Sequence, residues 1–375
     1  MAAKKISLDA GYDGIKVILE NGITYKTPAE VVSERYHALP ERLMSDDSTK
    51  NYVIMYGTDN ERFAIGELAA DIKRGLHGAT DLDDLYIENA SRYSNPNFKR
   101  LCLASIYCAI KKSDEITGKP FLSDNTTIML SVAVPNDYLK EVSDAVNQLF
   151  AGTHEFAIKI GDSEPEMVNL NISKVSRGSQ TILSVIGYAG DDNGNIVGYN
   201  SDDFPLLSLD LGYGTAGIAY IDKGLLVKET ESNKEFTMMR VNQRTAKGIQ
   251  ELTHISCTHR NIEMAVRSGA SQDAIWKYEK GSEYTTINIL EAQEIEVGHM
   301  TDELYEYIKK EYPITFIQNV LISGGTGTRF YPALCEKFTG NKLLAKENVH
   351  LAECKYAGKE YEPIYAVAVG GLKML

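Results

Sequence analysis

The sequence predicts an α/β protein built from two related domains, and three observations carry that expectation. An apolar strand that ends in an aspartate and runs into a glycine turn opens the chain, as LDAGYDGIKVI from Leu8. The pattern returns as LDLGYGTAGIA from Leu209, with Leu-Asp-x-Gly-Tyr shared. A third glycine turn, SGGTGTR, follows an apolar strand near the C-terminus and holds Gly324, Gly325 and Gly327. A duplicated strand-turn-strand pattern argues for two related cores, each presenting its turn to a cleft between them.

In the first copy Ile6 and Leu8 alternate into a buried strand, Asp9 stands at its end, and the pattern resumes at Lys16, so the stretch reads as a β-hairpin. Glycine at Gly11 and Gly14 lets backbone N–H groups approach an anion closely. A carboxylate beside a phosphate repels it, so Asp9 implies a divalent cation between the two, held directly or through water. Asp210, Gly212, Gly214 and the hydroxyl of Thr215 repeat the arrangement. One Asp-Gly hairpin alone is ordinary turn chemistry; its return is what points to phosphate.

A chain of 375 residues can form two domains with their own cores, a single large α/β domain being the competing expectation. Hydrophobic residues at 43% and charged residues at 24% suit a soluble globular protein. With 39 basic and 52 acidic residues the net charge is -13, which disfavours nonspecific contact with nucleic acid or anionic lipid, so any DNA must be reached through an adaptor. Five cysteines without a C-x-x-C, and an N-terminus without an apolar h-region, read as a reduced cytosolic chain with cysteines filling the core. No run reaches the 18 apolar residues of a membrane-spanning helix.

Along the chain, a polar stretch from Ser33 leads to YVIMYG and ERFAIGELAADIKRG, read as a strand over Arg62–Ile65, a turn at Gly66 and a helix through Lys73, a small insert over about 33–78. A helix is expected from Pro96 to Lys112, then a buried strand over Thr126–Pro135, with Asp137 as N-cap of the next helix. Two strands flank GDSEPEM, and ISKVSRGSQTILSVIGYAG reads as strand, turn and helix. The polar DDNGNIVGYNSDD divides the domains, giving 1–200 and 201–375. In the second domain a helix is expected from Arg244 to His254 despite Gly248. Asn261 to Pro313 reads as helical and charged, part of an insert over about 243–312, with Pro313 ending its longest helix. ITFIQNVLISGG is a strand opening a helix, and PIYAVAVGGLKML closes the chain as a helix free to pack back on the first domain.

Taken in order, these motifs resemble the actin, sugar-kinase and chaperone ATPase superfamily over nearly the whole chain. SGGTGTR is not a Walker A loop and lacks the following βαβ unit of a dinucleotide site. FAIGELA (Phe63–Ala69), the short insert and the end at Leu375 look most like the bacterial actin-like plasmid-segregation filaments, the ParM group. The resemblance implies an actin-like (ribonuclease H-like) two-domain ATPase with a nucleotide cleft between duplicated domains. It places Asp9, Gly11, Tyr12, Asp13, Gly14 and Lys16 in a first phosphate loop and Asp210, Gly212, Tyr213, Gly214 and Thr215 in a second. Gly324, Gly325, Thr326 and Gly327 would border the adenosine, with Arg244, Lys247 and Glu251 near ribose and base. Those last three share one helix face and equally read as a solvated charged face.

The implied cofactors are ATP, with GTP left open, and Mg2+, held by Asp9 and Asp210 through water. Both aspartates are catalytic candidates. The family's Pro-Glu or Pro-Gln, which positions the attacking water, is replaced here by Ser176-Arg177-Gly178, leaving Gln180 as the nominee and Arg177 as its rival. The implied partners are further copies of the chain in a homopolymeric filament and a ParR-like DNA-binding adaptor on a centromere-like plasmid site, with no direct nucleic-acid or membrane contact and a cytoplasmic location. The alternative is a small-molecule kinase of the same superfamily, with Asp137 as the base facing a sugar or carboxylic acid acceptor. HISCTH brings His254, Cys257 and His259 close in sequence, but 254 and 259 diverge on a helix, which speaks against zinc.

Overall fold

A computed structural model describes residues 3–35, 38–39, 52–57, 61–75, 90–123, 126–197, 203–223, 225–229, 234–254, 256–267, 275–280, 283–340 and 343–375. The chain divides into two compact units, residues 1–198 with 353–375, and 199–352. The division near residue 198 lies in the DDNGNIVGYNSDD stretch, and the C-terminal segment belongs to the first unit rather than to the second.

The first unit begins with β1 (Lys4–Ala10), β2 (Gly14–Leu19), β3 (Thr24–Pro28) and β4 (Val31–Ser33), then β5 (Val53–Tyr56), β6 (Arg62–Ile65) and α1 (Glu67–Gly75). It continues with α2 (Pro96–Thr117), β7 (Ile128–Val134), α3 (Ser143–Phe150), β8 (Gly152–Ile160), β9 (Glu166–Ser179) and α4 (Gln180–Ala189). Its sheet has the order β3-β2-β1-β7-β9-β8-β5-β6-β4, so the strands of the expected insert extend the main sheet. Most of the polar stretch before β5 lies outside the described residues.

Helix α2 starts where Asn95 accepts from the amides of Asn97 and Phe98 with Pro96 behind it, and ends at Gly118 in the left-handed region (φ 65°), a turn and a half beyond the expected Lys112. The expected helix start at Asp137 is corrected: Asn136–Tyr138 is a short 3-10 turn, and α3 starts at Ser143 with Val142 at its N-cap position.

The second unit holds β10 (Leu206–Leu211), β11 (Ala216–Asp222), β12 (Leu225–Glu229), α5 (Met238–Thr253), α6 (His259–Arg267), β13 (Ile275–Lys280), β14 (Glu283–Asn288), α7 (Ile289–Glu311), β15 (Asn319–Ser323), α8 (Gly325–Gly340) and β16 (Val349–Leu351). The all-helical reading of 261–313 is corrected by the antiparallel pair β13 and β14, with Lys280 opposite Glu283. Its signal was the Gly281-Ser282 pair between two runs of β-branched and aromatic residues, hidden by the charges around them. HISCTH is a helix end, a link and a helix start: His254 closes α5 in the left-handed region, Cys257 is buried, and His259 opens α6.

The second sheet runs β12-β11-β10-β15-β16, and each pair has the sense of its counterpart in β3-β2-β1-β7-β9. The two cores are duplicates.

The chain closes with β17 (Cys354–Tyr356), β18 (Lys359–Tyr361) and α9 (Ala366–Lys373). Both faces of β1 are covered, so Ser7 is as buried as Ile6 and Leu8. On the serine face α9 comes so close that a Cβ on Gly371 would lie 2.3 Å from the Ser7 hydroxyl. Small residues on both sides of that contact let backbone meet sheet.

Candidate functional site

Each core presents its aspartate at the same register. Asp9 pairs with Lys16 across the first hairpin, Asp210 with Gly217 across the second, and each lies one step from the strand end. The carboxylates therefore emerge where the strands stop, beside the backbone N–H groups of the turns.

In the first loop Lys16 donates to Asp9 Oδ2 at 3.1 Å, and Gln180 donates from Nε2 to Asp9 Oδ1 at 3.2 Å. Asp9 and Lys16 are nearly buried, at 4% and 6% exposure, which strengthens their attraction. Gln180 reaches Asp9 because β9 lies one strand beyond β7, itself parallel to β1, and α4 begins where β9 ends. Arg177, the rival for that role, donates instead to the Ser143 carbonyl at the start of α3. Asp13 lies 3.9 Å from Lys16 and 4.0 Å from Lys26. A Cβ on Gly14 would meet the Thr27 carbonyl at 2.9 Å and one on Gly11 the Gly14 carbonyl at 3.0 Å, which explains glycine at both.

One residue of this loop escaped sequence reasoning. Arg92, in the turn Ala90–Ser94, donates to the Gly11 carbonyl at 2.8 Å and carries no motif that announces it.

In the second loop the Gly212 amide donates to the Thr215 carbonyl at 2.9 Å, closing the turn around Tyr213 and Gly214. The third glycine turn is fastened to it. Ser323 donates to Asp210 Oδ1 at 2.8 Å, and Thr326 donates to the Gly212 carbonyl at 2.8 Å. Gly324 sits at φ 83°, where a Cβ would come within 2.3 Å of the Leu211 carbonyl. Gly325 opens α8, and Gly327 packs on Ile322. The helix N-terminus so placed offers unpaired N–H groups beside the Asp210 loop.

Other expected contacts fall elsewhere. Tyr213 is turned inward and its hydroxyl donates to Glu263 at 2.6 Å, so only its backbone belongs to the loop surface. Arg244 forms two bonds of 2.7 Å to Glu303 on α7, and that bond holds the Glu303 carboxyl below its ordinary range. Lys247 and Glu251 pair with each other at 3.6 Å in solvent. Among the described residues no hydrogen bond or ion pair ties these three to either loop.

The donor set suits magnesium bound through water. Asp9 has both oxygens engaged and Asp210 accepts from Ser323, which favours outer contact over direct ligation. Among the described residues no group of three or more His, Cys, Asp or Glu side chains could hold a metal ion by itself, so the remaining positions would fall to water and phosphate oxygens.

The duplicated sheets with their paired aspartate loops define an actin-like fold. Residues 7–180 match the family model of the N-terminal domain of actin-like proteins. A non-polymerisable quadruple mutant of pCBH ParM is similar at TM-score 0.69 and 15% identity, covering 99% of this chain and 98% of that one. A subunit of a 15-stranded ParM filament from Clostridium botulinum is similar at 0.68 and 15%, covering 100% and 99%. Bacillus thuringiensis ParM with ATP is similar at 0.60 and 15%, covering 99% and 98%. No curated protein sequence matches the chain. Among the described residues no helix is long and apolar enough to cross a membrane.

Proposed function

We propose that this chain is an ATP-dependent polymerising protein whose dynamic filaments segregate plasmid DNA, with hydrolysis controlling filament stability. The observation that carries the reading is Gln180. The family's water-positioning motif is absent from the sequence, yet an amide stands hydrogen-bonded to the first-loop aspartate, at 3.2 Å. Similarity to a filament subunit and to a ParM structure with ATP supports the rest.

In the proposed reaction the loop N–H groups, Lys16 and the Thr215 hydroxyl hold the phosphates of ATP. Asp9 and Asp210 would hold Mg2+ through water, and the ion would offset phosphate charge. Gln180, anchored by its NH2 on Asp9, keeps its carbonyl oxygen free in direction to accept from a water and orient it for in-line attack. Little covalent work falls to the protein; positioning and electrostatics lower the barrier. A net charge of -13 is in keeping with DNA contact made through a basic adaptor of the ParR kind.

The test is 90° light scattering of the purified chain on adding Mg-ATP, with phosphate release followed in the same cuvette. Scattering should rise above a critical concentration and decay as phosphate appears. Nucleotide turnover that depends on an added sugar or carboxylic acid, without scattering, would transfer the function to the kinase alternative.

A further inference from the structure

Beneath the first phosphate loop lies a buried cation that the proposed reaction has not used. Arg92 is 2% exposed, and its guanidinium stacks between the rings of Tyr12 and Phe98, 4.6 Å from each centroid. Nη2 donates to the Gly11 carbonyl at 2.8 Å, while Nε is buried without a hydrogen-bond partner among the described residues. Arginine does not lose its proton in proteins, and a buried charge is costly unless an opposite charge answers it.

Among the described residues the loop's carboxylates pair with lysines rather than with Arg92. Asp9 is matched by Lys16 at 3.1 Å, and Asp13 faces Lys16 at 3.9 Å and Lys26 at 4.0 Å, so two carboxylates meet two ammonium groups. Among the described residues Arg92 enters no ion pair. Arg92 therefore places a buried positive charge directly under the turn.

We propose that Arg92 is a positioning residue of this loop and that the anion answering its charge is the polyphosphate of the nucleotide. The inference rests on the proposed nucleotide site and deepens it. By drawing the Gly11 carbonyl toward itself, Arg92 turns away an oxygen that would repel phosphate and leaves the N–H side of the turn facing the ligand. By stacking on Tyr12 it holds the loop in that conformation before binding, which lowers the ordering cost. Its charge acts through a low-dielectric layer, where screening by water is weak.

The experiment compares the full chain with Arg92→Lys and Arg92→Gln, measuring equilibrium affinity for AMPPNP and for adenosine, with melting curves on the same samples. Arg92→Lys keeps the charge and a donor; Arg92→Gln keeps a donor alone. AMPPNP affinity should fall about tenfold in Arg92→Gln and by about threefold or less in Arg92→Lys, with adenosine affinity unchanged in both. A merely structural role would weaken both ligands together, and that outcome overturns the proposal. So does AMPPNP affinity at the starting value in Arg92→Gln. Should Arg92→Gln not fold, Tyr12→Leu removes one stacking partner and should cost AMPPNP about threefold with adenosine unchanged; no loss overturns the proposal. Failure of the unaltered chain to bind AMPPNP would instead sink the nucleotide site, and the inference with it.

Discussion

Asp210 accepts a hydrogen bond from Ser323 and stands at a strand end, so removing its carboxylate should spare the fold and strike the chemistry. Asp210→Ala is expected to bind ATP while phosphate release slows by about a hundredfold, leaving longer-lived polymers. Turnover equal to the parent would remove Asp210 from the reaction. Gln180→Ala should lower phosphate release about ten- to a hundredfold with nucleotide affinity within twofold, read by single-turnover kinetics. A matching loss of affinity would make Gln180 a binding residue instead. The two aspartates were legible because each sits within a few residues of the glycines that define its turn. Gln180 could be nominated only by its place in the chain, and its bond to Asp9 spans 171 positions. Arg92 was illegible, since nothing local marks an arginine that will lie under a distant loop.

The packing of α9 on α4 is the element-scale device that holds the site's first unit together. A Cβ on Gly370 would lie 1.8 Å from the Leu183 carbonyl, and one on Gly187 2.1 Å from the Ala366 carbonyl, so the two helices meet backbone to backbone. Buried Lys373 then donates to the carbonyls of Gly187 and Gly190 at 2.8 and 2.7 Å, closing the C-terminal end of α4. Gly370→Ala is expected to cost about 2–3 kcal/mol and lower the melting temperature, because neither backbone can yield without moving its helix. A melting curve superimposable on the parent would refute that packing.

A second element sets an acid limit. His154 on β8 donates from Nε2 to the Phe150 carbonyl at 2.7 Å, and burial holds its pKa below the ordinary 6.5 despite that bond. The folded state thus binds fewer protons than the unfolded chain between the lowered value and 6.5. Stability is full above that window and falls as pH drops through it. The urea midpoint should decline from about pH 7 to about pH 5, and His154→Gln should flatten part of that decline. His350 on β16, also lowered by burial, contributes the same sign in the second unit, so a flat midpoint in the parent would contradict both assignments.

For the whole molecule, a net charge of -13 opposes the meeting of like subunits. Raising monovalent salt from about 50 to about 200 mM shortens the screening length and should lower the critical concentration for ATP-driven assembly several-fold, measured by sedimentation. A critical concentration that rises with salt would show attraction between charged patches to dominate assembly. Mass and charge are additive properties of composition, which is why this expectation needs no coordinates. The fold class was legible for a related reason: the hairpins repeat a local rule of apolar strand, aspartate and glycine.

What the sequence by itself determined was therefore the duplication, the two aspartate loops and the net negative charge, because each depends on residues adjacent in the chain or on their sum. Tertiary structure alone decided that the strands of the insert join the main sheet, that Thr326 and Ser323 brace the Asp210 loop, that α9 returns to the first unit, and that Gln180 and Arg92 converge on the first turn. Those contacts are set by strand order and by how closely glycine and serine let backbones approach, and no local periodicity carries that information.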